Sequence, residues 1–332
     1  MRFILSILFL FHSFALAIAA DFDYVVVGSS PFSLFEALYH AHLGDRVMIV
    51  EDDSECGGAW KGINVCGIQH ADLGCHQIGH DMQLKTFLEE YAGCTMVSLD
   101  NPQIPYTSQN SGSNGYYFSK GCYELIDHLL QLIERTNIVL LLNHKLEKVS
   151  FDLAQKIAHL KIKDKQVTTK KLILTPMSCF SVENQPPENS HKSKYYHLYL
   201  LIQDPTPPQF SYHGRGGISG VSRIMNLTHY VGLSSSGRHL LVIQTHDEKG
   251  LANGQMHLDA MKKNNLIDPS SYILKSESYI YEAGHFNQGC INQAGASEFV
   301  EVLNTSHILG LASYISKWKQ SLKPFAVALG KK

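Results

Sequence analysis

Phe22-Asp23-Tyr24-Val25-Val26-Val27-Gly28-Ser29-Ser30-Pro31-Phe32-Ser33-Leu34 is the stretch whose reading decides the fold. A short β-branched run stops at a glycine, and a helical pattern begins at once. Phe32, Leu34, Phe35, Ala37, Leu38 and Ala41 recur at three- and four-residue steps, which predicts one apolar helix face. Pro31 suits the first helical turn, where its missing N–H costs nothing. Gly44 ends the helix, and Val47-Met48-Ile49-Val50 reads as a second buried strand ending at Glu51. A strand–helix–strand of this length is a parallel crossover unit.

The turn at residues 28–33 has the spacing of the dinucleotide fingerprint, in which each position has a physical task. The first glycine makes a tight turn, the second lets backbone approach a pyrophosphate, and the third lets helix and strand pack closely. Here Gly28 holds the first place, while Ser30 and Ser33 hold the other two. A side chain at Ser30 therefore stands where a phosphate would approach; at Ser33 a small side chain is easily packed. Ser29 and Pro31 complete the phosphate-binding turn, and the helix N-terminus adds its free N–H groups and dipole. Glu51 stands about twenty residues beyond Gly28, the separation expected of an acid that binds ribose hydroxyls.

Past Glu51 the chain runs Asp52-Asp53-Ser54-Glu55-Cys56-Gly57-Gly58-Ala59-Trp60. With this Gly-Gly loop the sequence resembles the FAD-dependent flavoproteins of the two-dinucleotide-binding type: amine oxidases, protoporphyrinogen oxidases, phytoene desaturases and UDP-galactopyranose mutases. The resemblance implies that Gly57, Gly58 and Trp60 border the FAD pyrophosphate. Weaker likenesses follow in the family's order. Ala71-Asp72-Leu73-Gly74-Cys75-His76 resembles the segment beside the flavin, which brings in Gly74 and His76. Tyr116 to Gly121 resembles the segment before a helix of the second region. Asn137 to Phe151 resembles the strand pair whose backbone meets adenine near Leu146. Lys171 to Pro176 resembles the strand that returns to the dinucleotide domain. The family's closing Gly-Asp turn is missing from Phe299 to Gly310, where Asn304 stands in place of an acid.

The expected fold class is α/β: a Rossmann-like, NAD(P)-binding type of FAD domain with a smaller inserted α+β substrate region. The dinucleotide domain is expected from residues 21–80, 120–180 and 277–332. The substrate region is expected from 81–119 and 181–276. Helices are expected over Asp81–Ala92, Lys120–Arg135, Asp259–Asn265 and Ala312–Leu322. Strands are expected near 138–142, 146–151, 158–162, 171–175, 195–202 and 239–244.

The remaining composition bounds partners and compartment. The chain has 332 residues, 44% hydrophobic, with a formal net charge of −2. That allows real cores in one or two domains and offers no basic stripe for nucleic acid. Residues 1–20 read as a cleavable export signal, with Arg2, an apolar run from Phe3 to Leu16, and Ala17-Ile18-Ala19. An uncleaved anchor is the alternative, and no later segment is apolar enough to span a bilayer. The expected location is the secretory pathway or another extracytoplasmic space. Seven cysteines leave at least one thiol unpaired, and their connectivity stays open. Asn226-Leu227-Thr228 and Asn304-Thr305-Ser306 fit the glycosylation sequon.

His76 and His80 could share a helical face with a metal, but no third ligand is fixed by spacing, and the expectation is no metal. Arg215 and Arg223 could pair with an anionic substrate. The resemblance implies an exported FAD-dependent oxidoreductase acting on a small or lipid-like organic substrate by hydride transfer. No catalytic residue can be named. The alternative is a flavin-free binding protein on the same scaffold, as in the Rab GDP-dissociation inhibitors.

Overall fold

The computed structural model describes residues 19–74, 78–79, 81–98, 115–175, 178–185, 193–205, 212–213, 218, 220–228, 231, 233, 237–283, 291–292, 294–303 and 314–322. His76, His80, Arg215, Asn304 and residues 1–18 of the expected export signal lie outside them.

In chain order, the first strands are β1 (Phe22–Val27), β2 (Val47–Val50), β3 (Gly62–Val65), β4 (Ile68–Asp72), β5 (Ile78–Gly79), β6 (Met96–Ser98), β7 (Gly115–Phe118) and β8 (Val139–Leu141). They are followed by β9 (Leu146–Asp152), β10 (Ile157–Ile162), β11 (Lys165–Leu174), β12 (Ser181–Val182) and β13 (Ser193–Gln203). The last are β14 (Tyr212–His213), β15 (Val221–Asn226), β16 (Arg238–Thr245), β17 (Tyr272–Ala283) and β18 (Val300–Val302). The helices are α1 (Pro31–His42), α2 (Met82–Glu90), α3 (Tyr123–Ile133), α4 (Gly254–Lys263) and α5 (residues 314–322).

The larger sheet has a parallel centre. β1 lies between β11 and β2, with Val25 opposite both Leu172 and Met48, and β2 continues to β8. The C-terminal half of β11 also carries β18 in parallel, while its N-terminal half turns antiparallel to β10 and then β9. The second half of β1, Val25–Val27, is a buried apolar run because both faces of this sheet are covered there. Val26 packs with α1, α3 and α5, whereas Val25 and Val27 pack with Leu160, Phe180 and Phe299 on the other face.

α1 starts where the sequence predicts, with Ser30 as N-cap, Pro31 in the first turn, and Gly44 at φ +90° just past the end. It buries Leu34, Phe35 and Leu38, each contributing roughly 1.5–3 kcal/mol by leaving water.

The second sheet runs β14-β15-β16-β13-β17. One face packs on the β3–β4 hairpin through Ile63, Ala71, Tyr199 and Val242, and the other is covered by α4 through Leu258 and Met261. β17 is a long strand that the sequence pattern misses, and α4 begins at Gly254 rather than Asp259. Asn226 of the first sequon is buried at the end of β15, its Oδ1 accepting from the Thr228 N–H at 3.0 Å. That leaves no room for a glycan in the folded chain. Among the described residues no helix is long and apolar enough to cross a membrane.

Candidate functional site

The end of β1 turns through Gly28, whose φ of +87° is the left-handed conformation that favours glycine. Its N–H donates to the Val50 carbonyl at 2.9 Å, which ties the turn to the neighbouring strand. A Cβ here would meet only Thr175 Oγ1 at 3.6 Å, so the backbone angle, not crowding, requires glycine.

Ser29 is buried and sits at the centre of a junction. Its N–H (2.9 Å) and hydroxyl (2.5 Å) both donate to Glu51 Oε2. Its Oγ (3.0 Å) and carbonyl (3.1 Å) both accept from the Gly57 N–H. The Asp53 N–H donates to Glu51 Oε1 at 2.9 Å. Three sequence segments, the turn at 28–30, the strand end at 51–53 and the Gly-Gly loop, are thus closed into one unit. Glu51 backbone groups extend it to the third parallel strand, donating to Leu141 and accepting from His144, both at 2.9 Å.

The two serines that replace fingerprint glycines bond to each other. Ser30 Oγ is 2.9 Å from Ser33 Oγ and accepts the Ser33 N–H at 3.3 Å, as an N-cap does. The Ser30 hydroxyl is therefore turned back along α1 rather than left projecting. Ser33 is completely buried, and Pro31 takes the first helical position.

Gly57 and Gly58 both have positive φ, +112° and +55°. A Cβ at Gly57 would come within 3.0 Å of Ile126 and 3.1 Å of the Lys61 nitrogen, so its glycine is demanded by packing. Gly58 is more open; only the Tyr281 hydroxyl lies within 4 Å of a Cβ there, at 3.7 Å. Trp60 holds the loop down, edge-on to Phe32 of α1 (6.4 Å) and Phe118 of β7 (5.9 Å). Lys61 binds Asp53 at 2.5 Å.

Leu146 is buried beneath this unit with Val27 and Val50. Gly74 is placed differently, against the second sheet. Its N–H donates to the Tyr199 hydroxyl at 2.9 Å, and Tyr199 donates to the Asp72 carbonyl at 2.9 Å. The Asp72 carboxylate accepts the Cys122 N–H at 2.7 Å and so anchors the start of α3. Arg223 is exposed on β15. Among the described residues no group of three or more His, Cys, Asp or Glu could hold a metal ion.

Solved structures share this arrangement of elements. UDP-galactopyranose mutase in its reduced form is similar with a TM-score of 0.63 at 11% identity, over 94% of this chain and 96% of that one. Putrescine oxidase bound to putrescine is similar with a TM-score of 0.58 at 11% identity, over 94% and 99%. Rab GDI from Plasmodium falciparum is similar with a TM-score of 0.56 at 11% identity, over 91% and 98%. The chain has the fold that these proteins share, a mixed α/β fold around a sheet with a parallel centre. No protein-family profile and no curated protein sequence matches the chain.

Two residues at the loop escape the sequence reading. Lys61 is signalled only by following the Gly-Gly pair closely. Tyr281 comes from β17 and reaches the loop from more than two hundred residues away. Burial, then the charges of Glu51 and Asp53, push its phenol up to about 12, so it is a neutral O–H donor at ordinary pH.

Proposed function

We propose that the chain is an exported FAD-dependent oxidoreductase acting on a small or lipid-like organic molecule. The junction of Ser29, Glu51 and Gly57 carries this reading. It sets a carboxylate beside a tight glycine turn, a helix N-terminus and a Gly-Gly loop, which is the donor and acceptor set that an adenine dinucleotide requires. The fit is tested by the two replaced glycines. Ser30 could have obstructed the turn, but its hydroxyl is occupied by Ser33, which keeps the approach to the turn compatible with phosphate.

In this reading Gly28, Ser29, Ser30, Pro31 and Ser33 hold the phosphates through backbone groups, and Glu51 binds ribose. Gly57, Gly58 and Trp60 border the pyrophosphate, with Leu146 near adenine and Gly74, His76 and Asn304 on the flavin side. When bound, the flavin supplies a hydride acceptor; the chain's own contribution is binding, orientation and exclusion of water. Residues 21–80, 120–180 and 277–332 form the dinucleotide region, and 81–119 and 181–276 bind the substrate. The parallel centre of the large sheet draws its strands from the first set, but the boundary at 277 cuts through β17, whose residues 277–283 pair with β13 in the second sheet.

One observation favours the second reading, a flavin-free binding protein. Glu51 already accepts three hydrogen bonds within the chain, so the junction closes on itself without a ligand. An absorption spectrum of the mature protein separates the two. Bands near about 370 and 450 nm, typical of a bound flavin and surviving desalting, support the oxidoreductase. A protein that stays colourless with added FAD and gains no thermal stability from it sinks that reading.

A further inference from the structure

The chain enters the fold through two residues that are both held. Ala20 is only 2% exposed, and its carbonyl accepts from Arg46 Nη2 at 2.7 Å. Asp21 is tied to β11: its N–H donates to Thr168 Oγ1 at 2.9 Å, and its carboxylate accepts from the Thr168 N–H and hydroxyl, both at 2.8 Å. β1 begins at the next residue, and Asp23 accepts the Arg46 N–H at 2.8 Å. Ala19, by contrast, is exposed. The limit between chain that the fold uses and chain that it leaves outside therefore falls at the Ala19–Ala20 bond. That bond directly follows Ala17-Ile18-Ala19, the small-residue pattern that an export peptidase reads. Ala15-Leu16-Ala17 offers the same pattern two residues earlier, and a cut after Ala20 would delete a buried residue and the acceptor of Arg46. A protease takes the residues on both sides of a bond into its cleft as open chain, so burial and bonding of that backbone decide whether the bond can be cut. Once Ala20 and Asp21 are bonded to Arg46 and Thr168, they are no longer open. Thr168 lies 147 residues beyond Asp21, so this clamp closes only after β11 has been made.

Resting on the export reading above, we propose that the precursor is hydrolysed at the Ala19–Ala20 bond, and that Arg46 and Thr168 then close on Ala20 and Asp21 and seal the site. Water adds across the amide. Its hydroxyl goes to the Ala19 carbonyl carbon, which becomes a carboxylate, and the two protons released go to the Ala20 nitrogen, which leaves as the new α-ammonium group. The clamp sets an order: cutting comes first and docking of β1 second. A precursor that folds before it is cut keeps its apolar leader.

N-terminal sequencing of the exported protein, and cleavage of the purified full-length precursor by a signal peptidase in detergent, test this. The exported protein is expected to begin at Ala20, and any other first residue overturns the proposal. A chain held in the cytosol with Met1 in place overturns the export reading itself. The peptidase is expected to cut a peptide of residues 15–25 between Ala19 and Ala20. It should cut the folded precursor at least about tenfold more slowly, because the clamp must open first. Thr168→Val removes two of the bonds to Asp21, and Arg46→Met removes the one to Ala20. Each is expected to raise the cutting rate of the precursor roughly tenfold, with the far-ultraviolet circular dichroism unchanged. Folded wild-type precursor cut as fast as the peptide overturns the clamp, as does protection that neither variant relieves. Since the variants lie on different strands, failure of one to fold leaves the other to decide.

Discussion

Ser29 links Glu51 and Gly57 by using its hydroxyl both as donor and as acceptor. Removing it in Ser29→Ala leaves Glu51 Oε2 with a single donor and Gly57 with the Ser29 carbonyl alone. For buried bonds of which one is to a charged group, the expected loss is about 1–3 kcal/mol. It should appear as a lower urea midpoint with an unchanged slope; a shift within a few tenths of a kcal/mol would show that the junction contributes no stability. The placement of Gly28 in a tight turn with Glu51 beside it was legible, because residue type and separation mark such a turn. The pairing of Ser30 with Ser33 was not, since it depends on rotamers that a sequence does not state. Tyr281 was not legible either, because nothing local marks a tyrosine that meets a loop on the far side of the chain.

At the scale of elements, α5 docks on α1 through a buried ionic cluster. Glu36 is fully buried and accepts from Trp318 Nε1 at 2.8 Å and from Lys317, with His40 3.3 Å away on the next turn. Phe35 and Trp318 stack at 5.0 Å beside it. Burial alone would raise the Glu36 carboxyl, but the donors from His40, Lys317 and Trp318 outweigh it and hold the carboxyl below its usual 4.5. A depressed carboxyl stabilises the fold above its unfolded value and loses that contribution as pH falls through the folded one. Stability should therefore decline as pH drops below about 4.5. Glu36→Gln should flatten that decline while costing about 3 kcal/mol at neutral pH, since it leaves Lys317 without its anion. Urea melts of both proteins between pH 7 and pH 3 check this, and parallel profiles would refute it. This helix was readable from its apolar spacing, whereas β17 was not. Lys275, Ser276, Glu277 and Ser278 at its middle interrupt the apolar pattern because the strand lies at a sheet edge. The start of α4 was hidden for a different reason, as Gly254 is a poor helix former and Asn253 caps without a side-chain bond.

For the whole molecule, the decisive contacts are those that join the two sheets. Tyr281 over Gly58 is one; another is Gly74, where the chain leaving the β3–β4 hairpin presses on β13. Gly74 has a φ of +92°, and a Cβ there would lie 2.7 Å from His197 Nε2, a ring that is itself buried. Gly74→Ala thus combines a strained backbone with overpacking, together about 2–4 kcal/mol. Close-packed surroundings limit how far the buried His197 ring can swing aside. The cost should therefore reach both sheets. Thermal unfolding of the variant, followed at once by near-ultraviolet circular dichroism and by far-ultraviolet signal, should show one transition shifted downward with the two probes coincident. Separate transitions would mean that the sheets unfold independently.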